Sequence, residues 1–220
     1  MRPQHNRVHD FAGDDHNGDT LANVNTKITD ATLGDAGDFC EDTFEAWEFI
    51  PIGDMLDTTY APAALALYGD DTGKIGVREF LGTGAADSIV LVPWEVPNDY
   101  VSGFKFRVVG WIGDYTMPAA AEGVYFALCG RSIAMGESLT GAFGAARGSS
   151  LDDLNSEGCT ALYDRFITGL SSDVAVTGIA ANETAMLELR RDIDSATDTY
   201  EQPVGVSGIW IQYDRKPTGV

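Results

Sequence analysis

The three histidines of this 220-residue chain, His5, His9 and His16, all fall within its first 16 residues, among Asp10, Asp14, Asp15 and Asp19. Imidazoles and carboxylates crowded into one short stretch are the ligand types of a divalent-cation site, with His9, Asp14 and His16 as candidate ligands. Two familiar spacings fail. "HNRVH" sets His5 and His9 four apart, as in zinc proteases, but Asn6 stands where that mechanism needs a glutamate base. "DDHNGD" has the glycine of a calcium loop at Gly18, yet counting back puts Gly13 where the first aspartate belongs. Asp192, Asp194 and Asp198 in "RDIDSATD" could also hold calcium, although a solvated acidic turn is the more ordinary role for such a stretch.

Beyond residue 16 there is no histidine. A Ser-His-Asp or Cys-His centre in the body would therefore have to borrow one from the N-terminus. "GVSGI" at 205–209 is not a nucleophile elbow, because Gly208 occupies the second spacer. Carboxylate pairs for glycoside hydrolysis can be drawn from 34 acids in so many ways that no single pair is informative. The expectation is a protein that is not an enzyme, with no cofactor beyond a divalent cation at the histidines. Trp47, Trp94, Trp111 and Trp210 could form a sugar-binding platform, but tryptophans in a β protein more often serve its core or an interface.

These side chains need a body to position them, and composition restricts what it is. Thirty-four acids against 14 bases give a net charge of −20. Such a surface repels phosphate backbones and anionic membranes, so nucleic acid and membrane are not expected partners. With 44% hydrophobic residues the chain should fold around a core. Lysine is confined to Lys27, Lys74, Lys105 and Lys216, a composition that would also suit high salt. Three cysteines, Cys40, Cys129 and Cys159, argue against a disulfide framework and for reducing assembly. The start "MRPQHNRVHDF" lacks the apolar stretch of a secretory signal. No run approaches the ~18 apolar residues of a membrane span.

Residues 1–19 are polar and without period, as in an extended arm. Leu21, Val24, Ile28 and Ala31 then recur at three- and four-residue steps behind a capping Asp19 or Thr20, which predicts one short helix over 20–33. That helix either packs on its own domain or forms a short seam with copies of itself through Leu21, Val24 and Ile28. Residues 34–43 look like a linker, so 1–43 form an appendage and 44–220 a body. In the body the period is two. "FKFRVVGW", "TAMLELRRD" and "SGIWIQYD" each set apolar residues against polar ones. "AWEFIPI", "KIGVREF", "DSIVLVPWEV", "GVYFALCG", "ALYDRFIT" and "DVAVTGI" are further strands, separated by turns such as "GDDTG" and "VPNDYVSG". In the second turn Pro97 fixes φ and Gly103 permits positive φ. Residues 136–158 read as a long loop or a segment with a short helix, and Arg190 and Arg191 beside Asp192 as makers of surface or interface ion pairs. The pattern predicts an all-β fold, a jelly-roll or related β-sandwich carrying an extended N-terminal arm.

Several of these stretches resemble the structural proteins of tailed-phage virions. "GDDHNGDTLANVNTKITDATL" is similar to their arm-and-stalk sequence, in which an "H-x-x-G-G-x-D-H"-like stretch leads into "L-N-x-x-I-S-D-A-T-L". "ITDATL" matches the last part, and "AGDDHNGD" departs from the glycine-rich part. "DSIVLVPWEVPNDYVSGFKFRVVGW" resembles their strand, "V-P-x-D-Y-x-x-G" and strand, and "AANETAMLELRRDIDSATDTY…VGVSGIWIQYDR" their closing hairpin. The resemblance implies a virion structural protein, assembled in the host cytoplasm. The arm would dock it on other virion proteins such as the major capsid protein. The body would decorate or reinforce the capsid as a cyclic homo-oligomer, a trimer. A tail or vertex module that binds a receptor or glycan, and a polysaccharide-cleaving enzyme, are the alternatives.

Overall fold

The computed structural model describes residues 43–216 apart from 59, 60, 71, 85, 114, 115 and 139. The appendage, with His9, Asp14, His16, Leu21, Val24 and Ile28, lies outside the described residues. Twelve strands follow in chain order: β1 (Phe44–Pro51), β2 (Leu56–Asp57), β3 (Ala64–Asp70), β4 (Gly73–Phe80), β5 (Ile89–Glu95), β6 (Tyr100–Ile112), β7 (Val124–Ile133), β8 (Arg147–Leu151), β9 (Arg165–Ile167), β10 (Val176–Thr177), β11 (Thr184–Arg191) and β12 (Val204–Arg215). Among the described residues one 3₁₀ turn, Ile52–Asp54, is the only helical element.

The strands build two six-stranded sheets. In the first, β3-β4-β12-β6-β9 are neighbours in that order and β1 also lies on β12; in the second the order is β10-β7-β11-β5-β2, with β8 on β7. Strand pairing is antiparallel except between β10 and β7. The sheets pack face to face as a β-sandwich, and the alternation seen in the sequence is the reason. Phe104, Phe106 and Val108 of β6 and Ile209, Ile211 and Tyr213 of β12 point inward from one sheet; Ala185, Leu187 and Leu189 of β11 and Val90, Val92 and Trp94 of β5 point inward from the other. Rings bridge the layers: Phe80 meets Phe126 edge-on at 5.5 Å, and Trp94 lies 5.0 Å from Phe104 and 5.5 Å from Tyr213.

β12 is the spine of its sheet. One edge carries β6 from end to end; the other is shared by β4, opposite Val204–Val206, and β1, opposite Gly208–Arg215. A bulge at Ser207 shifts the register, so Val204 and Val206 and then Ile209, Ile211 and Tyr213 all face the core. A second irregularity lies opposite Gly103, whose φ of +75° serves a bulge inside β6 and not the turn before it.

Two strand edges are covered by later parts of the chain. Residues 163–174 run along the outer edge of β6, where the hydroxyls of Thr168 and Ser171 accept the amides of Val108 (2.8 Å) and Phe106 (3.0 Å). β8 and β10 divide the outer edge of β7 between them. β8 lies within the segment read as a loop or short helix, and β3 and β2 had no counterpart among the expected strands. "DVAVTGI" contributes only the two residues of β10.

Arg191 corrects the expectation of a surface or interface ion pair. It is fully buried. Its guanidinium grips the Asp198 carboxylate at 2.9 and 2.7 Å and donates to the carbonyls of Gln202 (2.8 Å), Tyr200 and Phe80 (3.4 Å). Asp198 also accepts the amide of Tyr125 at 3.0 Å. Arg190, by contrast, is partly exposed and stands 3.7 Å from Asp87. Replacing Asp198 by alanine would leave a buried cation uncompensated and should cost about 3–5 kcal/mol of unfolding free energy. Arg190→Ala should cost less than about 1 kcal/mol. Urea titration of both variants checks the contrast.

Candidate interaction surface

The four tryptophans separate. Trp94 is core, and its indole N–H donates to Glu48 at 2.9 Å. Trp111 is half-buried on the outer face of the first sheet and donates to Ser207 at 3.0 Å, across the bulge. Trp47 and Trp210 also lie on that outer face, and they come together.

Strand register explains how. Phe49, Trp210 and Arg107 occupy one row across β1, β12 and β6; Trp47, Gln212 and Lys105 occupy the next. All point away from the core because their neighbours Ile50, Ile209, Ile211, Phe106 and Val108 point into it. Phe49 packs on Trp210 at 5.1 Å. The Arg107 guanidinium reaches diagonally over β12, 4.6 Å from the Trp47 ring centre and 6.0 Å from that of Trp210. Gly208 makes room: a β-carbon there would stand 2.4 Å from the Phe49 ring. The result is a ridge of three aromatic rings with one cation over two of them, with Trp47 41% and Phe49 38% exposed.

Gln212 lies within this group, only 5% exposed, and its side-chain carbonyl oxygen has no hydrogen-bond partner. The Arg107 Nε is likewise buried and unpartnered. Lys105, at the rim, is 3.7 Å from Asp173. Aromatic rings and arginine enclosed by a charged rim are the composition of a protein–protein contact. Sequence reasoning found the tryptophans but missed Phe49, Arg107 and Gln212. The available signal was the outward register of "FEAWEFIP", with aromatic residues two apart.

The acidic loop after β11 is not arranged around an ion. Asp198, one of its three candidate ligands, is spent on Arg191. Asp87 accepts the amide of Ile193 at 3.2 Å; burial raises its carboxyl above the usual range, and Asp192 and Asp194 push the same way. Among the described residues no group of three or more histidine, cysteine, aspartate or glutamate side chains could hold a metal.

The two described cysteines are buried. Loss of solvation pushes each thiol up to about 11, helped by Glu188 at Cys129 and by Asp164 and Glu157 at Cys159. Burial also pushes the Tyr200 phenol, which donates to the Thr116 carbonyl, up to about 12. All three groups are therefore neutral in the fold at neutral pH, and neither thiol is a nucleophile there. In a Cys40→Ser variant, thiol titration should find no reactive group until the chain is unfolded. Because the folded values are raised, their contribution to stability is complete below the ordinary values of 9.0 and 10.0 and is lost as pH climbs towards 11 and 12. The urea midpoint should thus fall above about pH 9, and less steeply above pH 10 in Tyr200→Phe.

Compared with known proteins, the chain matches no family model and no curated protein.

Proposed function

We propose that this protein is a non-enzymatic structural component of a tailed-virus particle. In this reading it is assembled in the host cytoplasm, is anchored by its N-terminal arm, and decorates or reinforces the capsid as a cyclic oligomer, a trimer, against the major capsid protein. The body is read as a jelly roll. Taking β1, β5, β6, β7, β8, β9, β11 and β12 as strands one to eight, the sheets run 1-8-3-6 and 2-7-4-5. That order supports a double Greek key, with β3 and β4 as a hairpin inserted between the first two strands. The sequence resemblance points the same way.

The observation that carries the docking role is the ridge of Trp47, Phe49 and Trp210 with Arg107. Large rings left in water on a body with a complete core have a function in contact. The same ridge favours one second reading. Trp47 presents an exposed ring of the kind on which a sugar ring stacks, so a glycan-binding tail module is the alternative.

Quantitative mass spectrometry on gradient-purified virions separates these readings. Hundreds of copies per particle are expected for a capsid component. A handful, in multiples of three or six, would move the protein to the tail or a vertex and favour the glycan reading. Absence from the particle would overturn the virion role. The Trp47→Ser/Trp210→Ser variant should still fold yet load onto particles with roughly tenfold lower occupancy, as loss of a contact hot spot predicts.

A further inference from the structure

We infer that the outer edge of β1 is a strand-addition site for an extended, basic segment of a partner polypeptide. This deepens the proposed docking role by naming the chemistry of the partner, and rests on that role only for where the partner is found.

The edge is open. β1 pairs with β12 on one side without a break over its eight residues, and among the described residues no strand or loop backbone pairs with its other side. A free edge presents a row of unpaired amides and carbonyls, and proteins ordinarily blunt it with proline, lysine, a bulge or a covering loop. Here β6 and β7 are covered, β5 carries Pro93 beside its paired end, and β3, at the end of the same sheet as β1, has β4 as its strand neighbour and an edge of its own. Before its last residue, Pro51, β1 has no lysine, bulge or covering strand among the described residues, and the charges it carries are Glu45 and the inward-facing Glu48.

Two surface depressions are lined by residues of β1. One, of about 510 Å³, is lined by Phe44, Ala46, Trp47 and Arg215; the other, of about 380 Å³, is lined by Phe49, Ile50, Pro93 and Trp94. Phe44 is 54% exposed at the entrance. An added strand would thus find side-chain sites along its length as well as hydrogen bonds.

Charge chooses the occupant. Glu45 stands in the first depression; Glu48, Asp54 and Glu95 stand in the second. Against them is Arg215, already 3.0 Å from Asp99. Glu45 lies on the outer face of β1 and Glu48, which accepts the Trp94 indole, on the inner one, so an incoming strand with lysine or arginine on both of its faces complements these four acids. A second copy would set Glu45 and Glu48 of each β1 against the same acidic edge, between chains of net charge −20.

The test uses the full chain and a fluorescein-labelled octapeptide of valines with lysines three apart, so that both faces carry charge. Binding is read by anisotropy, and amide exchange of residues 44–51 by mass spectrometry. Saturable binding that weakens with salt is expected, with exchange of residues 44–51 slowed about tenfold. Glu45→Lys, at an exposed position, should weaken binding roughly threefold. A glutamate–valine octapeptide, and a lysine–valine one interrupted by prolines, should not bind. No protection of residues 44–51 by the basic peptide overturns the inference, as does equal protection by the acidic one. Protection that grows with protein concentration alone, with a dimer in sedimentation, overturns it in favour of self-pairing. Particle copy number is measured separately. Peptide binding with no virion incorporation sinks the virion role and leaves the edge site; incorporation without peptide binding does the reverse.

Discussion

The guanidinium of Arg191 is the constraint on which the two-layer arrangement depends. It sits at the end of β11 in one sheet, takes the carbonyl of Phe80 from β4 in the other, and holds three points of the loop leading into β12. A cation without solvent is costly unless every donor is used. Here the loop folds back to use them: Asp198 neutralises the charge, and Tyr200 and Gln202 supply carbonyls. The acids that look in sequence like a calcium loop include the one that makes the buried cation tolerable. Their clustering has a structural cause, and it fixes where β12 begins.

From that starting point the bulge at Ser207 decides which residues of β12 meet the partner sheet and which meet the outside. If Ser207 were paired regularly and not absorbed in a bulge, alternation continued from Val204 and Val206 would turn Trp210 and Gln212 inward and Ile209 and Ile211 outward. The bulge therefore maintains the core and creates the ridge. Ser207 also receives the indole of Trp111 and donates to the Val109 carbonyl, so the irregular backbone is held on both sides. The surface ridge is tied to core packing through this single shift. Changing Ser207 would disturb both.

The sandwich is finished unevenly. Along β6 and β7 the chain spends loop residues, hydroxyls and two short strands on closing the edges, while Phe44, Trp47 and Phe49 of β1, Leu56 of β2 and Leu65 and Leu67 of β3 are exposed, as are Phe143, Leu162 and Leu170 in loops. Each half-exposed ring or leucine forgoes roughly 1 kcal/mol of burial.

How much of this was legible in the sequence follows from what a period of two reports. It reports faces. "TAMLELRR" and "SGIWIQYD" therefore declared their inward residues, and the all-β class with them. It does not report neighbours. "FEAWEFIP" and "TAMLELRR" are both eight-residue alternating strands, yet one lies at an edge and the other between two partners. Arg191 was misread for the same reason: alternation places it on the inner face, but its charge argues for the surface, and only the loop supplying Asp198 resolves the conflict. β8 was missed because "RGSSL" has almost no apolar contrast, and β7 recruits it by backbone pairing alone. The site was half legible on these grounds. Trp47 and Trp210 stand out by type, whereas Phe49, Arg107 and Gln212 become a surface only when register lays β1, β12 and β6 side by side. Pairing partners are a property of the whole chain, and so the open edge of β1 appears only once every other strand has been given its neighbours.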